Sequence, residues 1–511
     1  MTPLNGNWMK NPDGRHDPGP AFPAKRGMLH NPQSFHPLEP TRAQLAELGH
    51  EVWARAMAFT ENLPTSPVVP AEKLPAALIK TMLQAPGERQ GDLLPLLDQL
   101  DQAVKHAYDP GSPGMLAYVP GGGLSVSAVA DFYARITNRF VSMARVAPAL
   151  VALEVGVLRW FAGLCGLPSE SGGVFTNGGS MANFSAIVAA RHARLGENFF
   201  DGTFYISAQT HHSVAKAARL AGFPAAALRV VPHRSDLTMD ADALQQLIAL
   251  DRTRGKRPFL IVASAGTTNT GAIDPLPALA AIAREERLWL HVDAAYGGFF
   301  RLTERGHTRL SGIEQADTIT LDPHKTLFQP IGVGALLARD PKLLVAAHEN
   351  DGAYLRDVSR RQTYGGEHLP DFAHMAPELT RDVRGMRLWL PLHLHGVAAF
   401  RSALDEKLDL ATYVYERLAA APRIEVPWKP QLSTVAFRMK AKSSSADDIA
   451  AANQATQELL GRINASGRIL LSSTEIDGRF TIRVCIVMHR THADRIAEAL
   501  DIIRAAVAQS D

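Results

Sequence analysis

Lys325 stands between His324 and Thr326 in the run Thr-Ile-Thr-Leu-Asp-Pro-His-Lys-Thr-Leu-Phe-Gln-Pro-Ile-Gly-Val-Gly-Ala-Leu, residues Thr318 to Leu336. Apolar stretches flank it on both sides. Desolvation disfavours the charged form of an amine. A neutral lysine is a nucleophile that forms a Schiff base with an aldehyde. On its own, a lysine is most often a solvated surface charge. A second stretch shifts that balance. Leu288-Trp289-Leu290-His291-Val292 reads as a very apolar strand, and Asp293 follows at its end. Open α/β sheets hold their ligands at the carboxyl ends of strands. An amine for a carbonyl and an acid for a pyridine nitrogen are what pyridoxal phosphate asks of a protein, so the pair predicts that cofactor.

Other stretches supply further parts. Gly172 to Ala190 reads as a turn, glycines and then a helix. A glycine turn opening a helix offers free N–H groups and the positive end of the helix dipole, a phosphate site. Ser180 as a plain N-cap is the competing reading. No Gly-Lys-Ser/Thr follows, so this is not a nucleotide P-loop. His211 and His212 open a helix after the strand Thr203 to Ser207. Adjacent helical residues face different ways and no third ligand is near, which argues against a metal. A structural histidine is the bland alternative. Pro113 to Gly123 is a rigid turn containing Tyr118, Val119 and Pro120. Ala347 to Pro370 is a polar loop holding Tyr354 and Tyr364. Arg381 precedes a helix from Met386 to Ala399, where a salt bridge at the cap is one reading.

These side chains need elements to hold them. Strands are expected at Phe259 to Ser264, Leu288 to Val292, Thr318 to Leu321 and Gly332 to Ala338, with a helix from Asp274 to Glu286. Strand-helix alternation predicts a mostly parallel, doubly covered sheet. Its loops carry Thr268, Asp293 and Lys325 towards one edge. Upstream, Thr41 and Gln44 form a capping-box pattern for a first helix reaching Asn62. A second helix is expected from Asp92 to Tyr108. After about Leu404 the pattern becomes a small α+β region, with paired strands around Asp477-Gly478 and a closing helix from Ala493 to Val507. The expected division is 1–123 as a helical arm, 124–400 as the large domain and 401–511 as the small one.

Composition narrows the classes. The 511 residues carry 53 Lys+Arg against 51 Asp+Glu, which gives no support for a nucleic-acid or anionic-membrane partner. Two cysteines, Cys165 and Cys485, make neither a disulfide framework nor a metal site, and a reducing, cytoplasmic setting fits. No metal is expected. The most apolar stretch, Val146 to Leu167, contains Glu154 and Arg159 and reads as a buried helix rather than a membrane span.

Asp293-Ala294-Ala295-Tyr296-Gly297-Gly298 followed by Asp322-Pro323-His324-Lys325 resembles the group II pyridoxal-phosphate-dependent amino-acid decarboxylases. That family includes aromatic L-amino-acid, glutamate, diaminobutyrate and cysteine sulfinate decarboxylases. The similarity runs from about Pro113 to the C-terminus. It implies an α/β fold of the aspartate aminotransferase-like fold type I, with a helical N-terminal arm and a small C-terminal α+β domain. It further implies a homodimer whose arm packs on a partner subunit. Lys325 becomes the Schiff-base lysine, Asp293 the pyridinium partner and His211 the residue stacked on the ring, with Ala295 beneath. Gly179 and Ser180 become phosphate contacts and Thr268 a cofactor or Asp293 contact. Asp322 and His324 flank the lysine, His324 touching phosphate or relaying protons. Tyr118, Val119 and Pro120 line the substrate pocket, and Arg381 lies near substrate or cofactor. Aromatic-specific relatives tend to have an aromatic residue where Val119 stands. Tyr354 falls on the tyrosine that protonates the decarboxylated carbon, with Tyr364 the less favoured choice. The implied activity is decarboxylation of an L-amino acid to its amine. Oxidative deamination to an aldehyde and a non-catalytic, cofactor-free member are the alternatives.

Overall fold

Thr41 Oγ1 accepts from the Gln44 backbone N–H, and the Gln44 side chain accepts from the Thr41 N–H at 2.9 Å. This capping box opens α1, Arg42–Asn62, as the sequence pattern predicts. The structure, a computed structural model, describes residues 38–70, 72–89, 91–349 and 363–509. The chain divides into two units, Met1–Ser112 and Pro113–Asp511. The first holds α1, α2 (Ala76–Met82) and α3 (Leu93–Lys105). None of these three helices buries a residue. Their apolar positions, among them Leu45, Trp53, Phe59, Leu96 and Leu100, remain exposed.

The second unit begins with α4 (Ser125–Thr137) and α5 (Pro148–Leu164), then β1 (Gly172–Thr176) and α6 (Gly179–Leu195). Pro148 sits in the first turn of α5, where its missing N–H costs nothing. The expectation of a buried helix here holds: Val151, Glu154, Leu158 and Phe161 are all inside. Next come β2 (Gly202–Ser207), α7 (Ser213–Leu220), β3 (Leu228–Val231), α8 (Ala241–Thr253) and β4 (Arg257–Ser264). They are followed by α9 (Leu276–Glu285), β5 (Trp289–Asp293), α10 (Glu304–Arg309), β6 (Thr318–Leu321), α11 (Pro323–Thr326), β7 (Gly334–Ala338) and α12 (Lys342–His348).

Seven strands form one sheet in the order β1-β7-β6-β5-β4-β2-β3. From β6 to β3 every pairing is parallel, as alternation predicts. The exception is β7, antiparallel to both β6 and β1. Only the one-turn α11 lies between β6 and β7, and a parallel return needs a full crossover. The strand β1 was not expected; its glycines read as a turn. Leu290, Val292, Ile319 and Leu321 of the sheet share the main core with Ala186, Ile187 and Ala190 of α6.

Further along lie the short pair β8 (Thr363–Tyr364) and β9 (Glu367–His368), then α13 (Met386–Ala419). This helix extends well past Ala399, with a break at Gly396 (φ 70°, ψ 156°). The chain closes with β10 (Ile424–Glu425), β11 (Thr434–Met439), α14 (Ala446–Asn464), β12 (Ser472–Ile476), β13 (Arg479–Cys485) and α15 (Ala493–Ala508). These strands form a separate sheet, β10-β11-β13-β12, over a second core of Val435, Phe437, Ile482, Val484, Ile496 and Ile503. Asp477 and Gly478 both have positive φ, the conformation a two-residue hairpin turn needs. The first strand of this hairpin starts at Ser472; Ile469-Leu470 lies ahead of it, with Leu470 bridging Met115.

Candidate active site

Three neighbouring parallel strands deliver the key residues to one edge. Asp293 is the last residue of β5, paired with Ser264 on one side and Thr320 on the other. Thr267 and Thr268 follow β4, and Lys325 lies on α11 just after β6. Together with the start of α6 they line a cavity of about 410 Å³. Of the residues singled out in the sequence, Gly179, Ser180, His211, Thr268, Asp293, Ala295, Asp322, His324 and Lys325 all face it.

Helix α6 enters through Gly178 at φ 152°, ψ 170°, with no side-chain cap, so Ser180 is not an N-cap. A side chain at Gly179 would meet Asp322 Oδ2 at 2.9 Å and Ala295 Cβ at 3.3 Å. Glycine is therefore what lets the helix start approach the lysine turn. Seventeen residues of helix stand behind it, and its N-terminus faces the cavity with the positive dipole end.

Asp293 is 8% exposed. Its Oδ2 accepts from Asn183 Nδ2 at 2.9 Å and its Oδ1 from the Ala295 N–H at 3.1 Å. Thr268 is not among its partners: the Thr268 carbonyl accepts instead from Arg483. Lys325 Nζ lies 3.0 Å from Asp322 Oδ2, its side chain 21% exposed. Burial pulls the Lys325 pKa down, but Asp322 and Asp293 outweigh it and hold the ammonium above the ordinary lysine value. The expectation of a neutral amine from apolar surroundings is thus corrected. The single turn of α11 brings Asp322 under Lys325, and a carboxylate at 3.0 Å outweighs desolvation. His324 Nδ1 donates to the Val333 carbonyl at 2.6 Å, and its ring edge lies beside Gly178. His211 has its pKa lowered, chiefly by burial.

Tyr118, Val119 and Pro120 do not line the cavity. Val119 packs against the main core and Tyr118 is exposed, at φ 59°. Their run reaches the site through Gly121, where an added Cβ would sit 1.5 Å from the His324 carbonyl oxygen. Arg381 is not brought to the cavity either. It is ion-paired with Glu154 at 2.8 Å, both side chains fully buried, with its guanidinium 4.8 Å from the Phe372 ring centre. The Glu154 carboxylate opposes its charge, although the guanidinium nitrogens find no hydrogen-bond partner among the described residues. Tyr354 lies outside the described residues. Tyr364 is placed on β8, packed against the core and lining a different cavity. Asn183, Ser213 and Thr267 escaped the sequence reading, although all three line the site.

The family model for the pyridoxal-dependent decarboxylase conserved domain matches residues 75–440. An aromatic-L-amino-acid decarboxylase of Bacillus atrophaeus is 33% identical over 471 residues, spanning 92% of this chain and 96% of that protein. A phenylacetaldehyde synthase of Arabidopsis thaliana is 28% identical, spanning 90% of this chain and 95% of that one. Among solved structures, Oryza sativa TDC with PLP and tryptamine is similar at a TM-score of 0.85 and 26% identity, covering 93% of this chain and 99% of the other. The sheet described above is accordingly that of fold type I.

Proposed function

We propose, for a chain that belongs to the pyridoxal-dependent decarboxylases, that it removes the α-carboxyl group of an L-amino acid and releases the amine and carbon dioxide. Its cofactor is pyridoxal 5'-phosphate. When bound, that group supplies a carbonyl for amines and an electron sink for the carbon that loses carbon dioxide. The observation that carries the reading is the convergence of Lys325, Asp293 and the open N-terminus of α6 on one cavity.

The residues fit the group. Gly179 and Ser180 offer backbone N–H groups to its phosphate, with His324 beside them. Asp293, held by two donors, meets the ring nitrogen. Lys325 Nζ would hold the aldehyde carbon, and Asp322, 3.0 Å away, would keep that amine in place beforehand. His211 would cover one face of the ring, and Ala295 is small enough to leave room at the other. Tyr354 is assigned the proton that returns to the substrate's Cα. This assignment rests on the count of residues from Lys325 in the sequence.

The substrate side chain is proposed to be aromatic. Support comes from the 33% identical relative, named for aromatic L-amino acids. Val119 no longer argues against this, since its side chain packs on the core while the exposed residue of that run is Tyr118. The second reading, oxidative conversion to an aldehyde, is favoured by the phenylacetaldehyde synthase relative. It would consume oxygen and water and yield aldehyde, carbon dioxide, ammonia and hydrogen peroxide. Incubation with each common amino acid, measuring carbon dioxide, amine and peroxide together, separates the two. Amine in step with carbon dioxide is the expected result for an aromatic substrate. Tyr354→Phe is expected to turn the main product to aldehyde with peroxide; unchanged amine output would remove Tyr354 from its role.

The enzyme is further proposed to act as a homodimer. Helix α3 is amphipathic yet buries nothing, α1 likewise buries none of its apolar residues, and α4 exposes Val129, Phe132, Tyr133 and Ile136 along one face. Such faces call for a partner. Light scattering should give twice the mass of the chain, and a fully active monomer would contradict it.

A further inference from the structure

Asn183 lies in the second turn of α6 and is 1% exposed. Its carboxamide makes four hydrogen bonds. Nδ2 donates to Asp293 Oδ2 at 2.9 Å and to Ser213 Oγ at 3.1 Å. Oδ1 accepts from Thr320 Oγ1 at 2.7 Å and pairs with His291 Nε2 at 3.0 Å. The opposite orientation would set an amide oxygen against a carboxylate, so the nitrogen faces Asp293.

This orientation propagates in both directions. Asn183 Oδ1 can only accept, so the His291 proton sits on Nε2. His291 Nδ1 then accepts from Thr318 Oγ1 at 2.9 Å, and Thr318 in turn accepts from Trp289 Nε1 at 2.9 Å. Burial pushes His291 down to about 4, which keeps it neutral. On the other branch, Ser213 Oγ accepts from Asn183 Nδ2 and keeps its own proton available for His211 Nδ1 at 2.7 Å. The Ser213 backbone N–H points at the same nitrogen, at 3.3 Å. His211 Nδ1 is thereby an acceptor.

We propose that Asn183 is a positioning residue that fixes the Asp293 carboxylate and, through Ser213, locks His211 as the neutral tautomer protonated on Nε2. His211 then reaches the reacting atoms as a donor and not as a base. Burial favours the neutral ring. Of the charged and titratable groups facing it, Asp293 and Asp322 pull towards protonation while Lys325 and His212 push against it. The inference builds on the roles given to Asp293 and His211 above.

The test uses the full chain labelled with 15N in its histidines, with and without pyridoxal phosphate. His211 is assigned by its loss in His211→Gln. The expected wild-type spectrum shows the Nε2–H tautomer, unchanged between about pH 6 and 8, where an ordinary histidine titrates. In Asn183→Ala and in Ser213→Ala the signals should move towards a mixture of tautomers. The small Ser213→Ala change keeps the question open to test if Asn183→Ala does not fold. Asn183→Asp preserves shape but sets a second carboxylate against Asp293. It should weaken cofactor binding by roughly tenfold or more, as the loss of a bond to a charged group implies. A wild-type proton on Nδ1, a ring that titrates near the usual value, or a tautomer unmoved in both alanine variants overturns the His211 half. An unchanged cofactor affinity in Asn183→Asp overturns the Asp293 half. If the wild-type chain bound no cofactor at all, the functional reading would fall while the tautomer result stood by itself.

Discussion

Lys325→Ala is expected to lower turnover by at least about a thousandfold, at the upper end of what a single catalytic side chain supplies. Among the described residues that line the cavity, Lys325 carries the only primary amine. Without it the cofactor can be held by its phosphate and ring alone. Borohydride treatment should then leave no cofactor attached to the chain, where the parent retains it. The substitution has a second consequence. Asp322 is 2% exposed, and Lys325 Nζ at 3.0 Å is its closest cation. Removing one member of such a pair strands the other, at a cost of roughly 3 kcal/mol for a buried pair, less here because Lys325 is partly exposed. Lys325→Arg separates these effects. A guanidinium keeps the charge beside Asp322 but does not deprotonate to act as a nucleophile. It should restore the melting temperature lost in Lys325→Ala without restoring turnover. Covalently trapped cofactor in Lys325→Ala, or a tenth of parent turnover in Lys325→Arg, would dismiss the assignment.

The cofactor cavity was legible because its residues sit where a periodic pattern stops. Asp293 ends an apolar strand, Lys325 follows one and His211 follows another, and all three strands are present. Thr41 and Gln44 announced their helix for an equally local reason. What failed was whatever the linear string does not display: strand direction, distant partners and contacts across a single turn. The reversed direction of β7 is decided by how short its link to β6 is, and the strand signal is the same either way. Arg381 reads equally as a ligand contact and as a salt bridge at the helix cap; it is ion-paired, but with Glu154, far back on α5. The charge state of Lys325 was misjudged because Asp322 looked like a flanking residue rather than its neighbour in space. For Asn183 a signal did exist. Gly179, Ala182, Asn183, Ala186, Ile187 and Ala190 form the buried stripe of α6, at helical spacing. A lone carboxamide on that stripe must find partners, because burying it without them is costly. His291, inside an otherwise apolar strand, carries the same message.

Asp293→Asn tests the other half of the pairing, with the pocket's shape almost unchanged. Its two donors, Asn183 Nδ2 and the Ala295 N–H, both expect an oxygen. An asparagine offers only one, so one donor faces an amide nitrogen and the side chain is held less firmly. More important is the missing charge. If the carboxylate raises the ring nitrogen's pKa by about 3 units, its removal withdraws about 4 kcal/mol from the protonated ring, and turnover should fall by about a thousandfold. The charge also acts on its neighbours: Asp293 pulls upward on both Lys325 and His211, so both pKa values should drop in the variant. The Lys325 amine of the cofactor-free chain should therefore react with an amine-directed reagent at lower pH than in the parent. A cofactor analogue methylated on the ring nitrogen carries a permanent positive charge and no longer depends on a carboxylate for it. Supplied to Asp293→Asn, it should recover a substantial part of the lost turnover, while in the parent it should give no gain. Asp293→Asn with near-parent turnover, or a loss that the charged analogue leaves untouched, would mean that Asp293 serves the shape of the site and not the charge of the ring.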